Sequence, residues 1–217
     1  GDIKVIGLGG GAGGDAPNNA KRGVYITSGS SIVSDGTGPD AAKIAIDGTG
    51  GTGTSQDQGV YLSAGKVRSV DGDIKITGKG GTATSASYGI MLYNVAEITA
   101  SGSAEIHLVG EALGAVEDVS FFNGAGTSVV KSNTGDIVIE ANRWNGNTGS
   151  IEVDTASPAS PKGHLLITPR TAGTSIGIGG GAGTLSLAAT QLDMIKDGFS
   201  EIVIGHENGT GLVTVGT

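Results

Sequence analysis

The residues able to do chemistry in this chain are few and scattered. Gly10-Gly11-Ala12-Gly13-Gly14-Asp15 matches the G-G-x-G-x-D core of the calcium-binding nonapeptide repeat. The match occurs once, where such a site needs tandem copies so that neighbouring turns share the ion, and Pro17 replaces the expected large apolar residue. Asp15 is therefore a weak calcium candidate; no other metal ligand and no cofactor is expected. His107, His164 and His206 fall in three different repeats, with no motif-spaced nucleophile beside any of them. The carboxylates mostly sit beside glycine, in Asp35-Gly36, Asp47-Gly48, Asp71-Gly72-Asp73 and Asp197-Gly198, where turn chemistry explains them. No catalytic residue is expected, and the chain does not read as an enzyme.

Contact chemistry is the other option. Tyr25, Tyr61 and Met91 occupy matched outward positions on successive strands, and such a column either stacks on sugars or a partner protein or is covered by loops. The long loops nearby favour the cover. Trp144, in the turn-like run Ala141 to Asn147, is the other aromatic expected at the surface. Asn208-Gly209-Thr210 fits a glycosylation sequon, a triplet that glycine-rich turns also generate by chance.

Composition limits what can position these residues. Of 217 residues, 42 are glycine, 5 are proline, none is cysteine, and aromatics make up 4%. There is no every-third-residue glycine, which excludes collagen, and recurrent β-branched runs exclude a disordered linker. Without cysteine, stability must come from repetitive hydrogen bonding and packing. A net charge of −8 argues against a nucleic-acid partner or an anionic membrane surface, and no apolar run is long enough to span a bilayer.

The organising feature is a repeat. Ile3-Lys4-Val5, Ile44-Ala45-Ile46, Ile74-Lys75-Ile76, Ile106-His107-Leu108 and Ile137-Val138-Ile139 follow one another at steps of 41, 30, 32 and 31 residues. Val24-Tyr25-Ile26, Val60-Tyr61-Leu62, Ile90-Met91-Leu92 and, more loosely, Val119-Ser120-Phe121 form a second series; Ile32, Val67, Ile98 and Val130 mark a third. Three short strands in fixed order, about every 30 residues, predict an all-β parallel β-helix. Its coils stack strand on equivalent strand and close an apolar interior. Loops of unequal length, Gly7 to Arg22, Asp47 to Gln58 and Gly78 to Tyr88, leave at one corner. One domain spans 1–217, with regular coils over 1–141 and more tightly spaced ones over 142–217. A short helix is expected near 190–197, with Thr190 as N-cap, Asp193 three residues on and Gly198 ending it.

The run Ile167 to Gly205 (ITPRTAGTSIGIGGGAGTLSLAATQLDMIKDGFSEIVIG) resembles segments of filamentous-haemagglutinin-like giant surface proteins of green sulfur bacteria and cyanobacteria. The resemblance covers roughly 40 residues. It implies a right-handed coil and a structural or adhesive segment of a very large secreted or cell-surface bacterial protein. Its partners would be other cells, surface proteins or glycans, in attachment or symbiosis. The alternative from another class is a carbohydrate-binding or polysaccharide-cleaving β-helix, for which a groove with clustered acids would be the sign.

Overall fold

The computed structural model describes all residues except 12–19, 54–55, 83–86, 114–117, 123–125, 147, 159–160 and 217. Asp15, the calcium candidate, lies outside the described residues. The strands run in triplets: β1 (Ile3–Leu8), β2 (Val24–Ile26), β3 (Ser31–Ser34); β4 (Ile44–Thr49), β5 (Val60–Ser63), β6 (Lys66–Ser69); β7 (Ile74–Lys79), β8 (Ile90–Tyr93), β9 (Glu97–Ala100). Two further triplets follow: β10 (Ile106–Glu111), β11 (Val119–Phe122), β12 (Ser128–Ser132); β13 (Ile137–Glu140), β14 (Trp144–Gly146), β15 (Gly149–Val153). The chain ends with β16 (Leu165–Thr168), β17 (Ile176–Ile178), β18 (Leu185–Leu187), α1 (Ala189–Leu192), β19 (Ile202–Ile204) and β20 (Val213–Val215).

Each strand pairs in parallel with its counterpart one coil away. The first sheet runs β1-β4-β7-β10-β13-β16-β19, the second β14-β11-β8-β5-β2 and the third β15-β12-β9-β6-β3, giving a β-helix-like stack. Register follows the inward residue: Ile3, Ile44, Ile74, Ile106, Ile137, Leu165 and Ile202 lie on successive rungs of the first sheet. A one-residue slip would turn the buried members, Ile44, Ile74, Ile106, Ile137 and Leu165, to solvent, so burial sets the pairing. Val60, Ile90 and Val119 line the second face and Val67, Ile98, Val130 and Ile151 the third, all fully buried in one continuous core. β-Branched side chains suit these ladders because their χ1 is already restricted.

Glycine shapes the loop-bearing corner. Gly7, Gly48, Gly78 and Gly110 are in register on the first sheet. A Cβ on Gly48 would sit 2.2 Å from the Gly59 carbonyl oxygen, and one on Gly78 2.1 Å from that of Gly89. The returning loop therefore crosses the ends of β1, β4, β7 and β10 at backbone contact. Asp47, expected in a turn, stands within β4 for the same reason: the strand continues through its glycine to Thr49.

The C-terminal coils depart from the triplet. The fourth sheet has the order β18-β17-β20, with Ile176 opposite both Leu185 and Val213. β17 and β18 are parallel yet joined by residues 179–184 alone, where parallel strands ordinarily need a crossover of a dozen or more. A Cβ on Gly183 would lie 2.1 Å from the Gly177 nitrogen, so the return passes directly over its own strand. Gly179 and Gly180 turn it through positive φ, 62° and 94°.

The helix is shorter than expected. It spans Ala189–Leu192 with Ala188, not Thr190, at the N-cap. Gln191 is the residue that reaches back, its Oε1 accepting the Ala188 N–H at 3.1 Å, while Thr190 already lies inside the turn. Beyond it, Ile195 bridges to Ile151 and continues the third face. Met194 enters the core where Gly146 leaves room; a Cβ on Gly146 would lie 2.9 Å from the Met194 sulfur.

Candidate functional site at the loop-bearing corner

The aromatic column forms as expected and is partly covered. Tyr25 faces Tyr61 across one rung, which faces Met91 on the next. The Tyr25 and Tyr61 rings stack with centroids 5.2 Å apart and an interplanar angle of 8°; Tyr93 leans on Tyr61 at 6.1 Å. Arg22, at the return of the first loop, places its guanidinium carbon 4.7 Å from the Tyr25 centroid and 4.5 Å from that of Tyr61. Its Nε donates to Gln58 Oε1 and its Nη2 to Gln56 Oε1, both at 3.0 Å. Gln58 Nε2 in turn approaches Met91 Sδ at 3.9 Å. Tyr61 is consequently buried and Met91 half-buried, while Tyr25 stays 49% exposed. Burial pushes the Tyr61 hydroxyl above its usual range, against the lowering effect of Ser63 and Arg22.

Trp144 is not a surface aromatic. It lies within β14, opposite Val119, only 5% exposed. Its ring packs against Phe121 at 5.8 Å. The Asn and Gly residues around it suggest a turn locally, but the inward position of the ladder takes the indole.

A second feature of the corner combines residues that sequence reading did not single out. An open groove of about 810 Å³ is lined by Glu111, Asp118, Asn142, Arg143, Arg170 and Thr174, with Thr171 and Thr184 beside them. The Asp118 carboxylate, 5% exposed, accepts the backbone N–H groups of Ala112 (2.7 Å), Asn142 (2.7 Å) and Arg143 (3.1 Å). Glu111 is held by Arg170 at 3.1 Å and by Lys79 at 3.4 Å. Asn142 braces the opposite wall: its Oδ1 accepts the Thr171 N–H and the Thr174 hydroxyl, each at 3.0 Å. The available signal was register, since Glu111, Asn142 and Arg170 each stand five residues after the first inward residue of their coil.

The histidines are spread along the stack. His107 Nε2 lies 2.8 Å from Glu140, and His164 Nδ1 lies 2.9 Å from Asp136. Among the described residues, no group of three or more His, Asp or Glu is placed to hold a metal ion. No family model, no curated protein and no solved structure matches the chain.

Proposed function

We propose that this chain is a segment of right-handed parallel β-helix that serves as a structural and adhesive part of a very large secreted or cell-surface bacterial protein of the filamentous-haemagglutinin-like kind. The observation that carries the reading is the unbroken first sheet, seven strands in register over 200 residues of chain. A rod of this kind gains length with each coil, about 4.8 Å at a time, without needing a new core design. Right-handed winding follows the general preference of parallel strands joined by crossovers. Charge on the outer faces is compensated between coils, as in Lys66 and Arg68 on Glu97 (2.7 and 2.6 Å) and Lys43 on Asp73 (2.7 Å), which suits a solvated rod.

Its partners on this reading are other cells, surface proteins or glycans outside the cell. Antibodies against the chain should label intact source cells before permeabilisation, and surfaces coated with it should retain cells better than surfaces coated with albumin. Labelling that needs permeabilisation, or retention equal to albumin, would sink the reading.

A further inference from the structure

We propose that the groove bordered by Glu111, Asp118, Asn142, Arg143 and Arg170 binds a polysaccharide whose rings carry carboxylates. The inference rests on the adhesive reading above and gives it a ligand class. Two of the chain's four arginines line this one groove although the whole chain carries a net charge of −8. Both side chains are about a third exposed, 32% for Arg143 and 31% for Arg170. Each is positioned by an acid on one side. Arg170 is ion-paired with Glu111 at 3.1 Å, and Arg143 Nη2 lies 3.9 Å from Asp118, whose carboxylate also accepts three backbone N–H groups.

A guanidinium fork matches a carboxylate with two parallel hydrogen bonds, and its charge persists at any working pH. The remaining lining supplies what sugar hydroxyls need. Glu111 accepts, and the Thr171, Thr174 and Thr184 hydroxyls add oxygen acceptors, that of Thr174 with its proton on Asn142. Among the described residues no aromatic side chain lines the groove, so charge takes the place of ring stacking in recognition. The volume lies within the range of built ligand sites, and the lining crosses successive coils, which fits a chain of rings laid along the axis.

Calorimetric titration of the whole chain with polygalacturonate oligosaccharides should show saturable binding that weakens at least about tenfold in Arg143→Gln/Arg170→Gln. Neutral dextran oligosaccharides of equal length should not bind. Lys66→Gln/Arg68→Gln, the same charge change on the third sheet, should bind as the parent does. Amide shift perturbations in the unmutated chain should centre on Thr171, Gly173 and Thr184, a readout independent of whether the variants fold. No binding, shifts centred elsewhere, an equal loss in the third-sheet variant, or equal binding of a neutral or sulfated chain would overturn the proposal. Cell retention without uronate binding would remove this inference alone, and uronate binding without surface labelling would remove the adhesive reading alone.

Discussion

Asp71 Oδ1 accepts both the backbone N–H of Ser103, at 2.7 Å, and its hydroxyl, at 3.0 Å, while Oδ2 takes the N–H of Gly38 at 2.8 Å. Gly38 and Ser103 belong to the coils on either side, so one turn carboxylate fastens three. Simpler versions recur along the stack: Asp2 accepts from Lys43 (2.9 Å), Asp73 from Glu105 (3.2 Å) and Asp136 from His164 (2.8 Å). These aspartates are fasteners between coils, and their chemistry is spent on backbone N–H groups.

Acid sensitivity follows. The N–H groups of Gly38 and Ser103 hold the Asp71 carboxyl below its usual range. Burial raises Glu97, but Lys66 and Arg68 outweigh it and leave that carboxyl lowered as well. A lowered folded-state pKa contributes stability that is present above the unfolded value and lost as pH falls through the folded one. Thermal melts should be flat from pH 7 to 5 and drop below about pH 4. Asp71→Asn should melt lower than the parent at pH 7, with the gap narrowing as pH falls below about 4; a constant gap would count against the mechanism.

Neighbouring glycines should differ sharply. Gly78→Ala drives a Cβ into the Gly89 carbonyl, whereas a Cβ on Gly10 meets open space. Denaturant titration should show a loss of about 3 kcal/mol or more for the first and within about 0.5 kcal/mol of the parent for the second.

Trp144, the chain's single tryptophan, reports on the core directly. Native emission should be blue-shifted and resistant to acrylamide, moving red on unfolding. Trp144→Ala should cost about 3–5 kcal/mol. Native emission already at the wavelength of free tryptophan would contradict the burial.

Gly146 and Met194 should be coupled. Gly146→Ala crowds the Met194 sulfur and costs about 1–3 kcal/mol; Met194→Ala empties the space and costs about 2–5 kcal/mol. The double variant should lose less than the sum, and strict additivity in a double-mutant cycle would show that the two do not share the site.

The Arg22 guanidinium beside Tyr25 and Tyr61 should contribute about 0.5–2 kcal/mol. Arg22→Ala should lower stability by that amount and, by removing the positive charge that favours the phenolate, move Tyr61 ionisation to higher pH in a spectrophotometric titration. A shift to lower pH would indicate that the arginine acts on Tyr61 mainly by keeping water from the ring.

The sequence by itself determined the ladders. Ile44, Ile74, Ile106 and Ile137 recur at steps close to one coil, and a period of two within each strand sends the same members inward every time. It also placed the loops at one corner, because glycine runs interrupt each repeat after the first strand. What only tertiary structure decided depends on where a neighbouring coil lies. Trp144 has turn-like neighbours, yet it is buried because its rung falls opposite Val119 and beside Phe121. The groove joins Glu111 to Arg170 and Asp118 to Arg143 across 59 and 25 residues of chain. No local spacing carries that information, since insertions change the interval from coil to coil. Strand β18 alternates in sequence like the others, Leu185-Ser186-Leu187, but its place beside β17 is tertiary: glycines let a six-residue return pass over β17 at backbone contact.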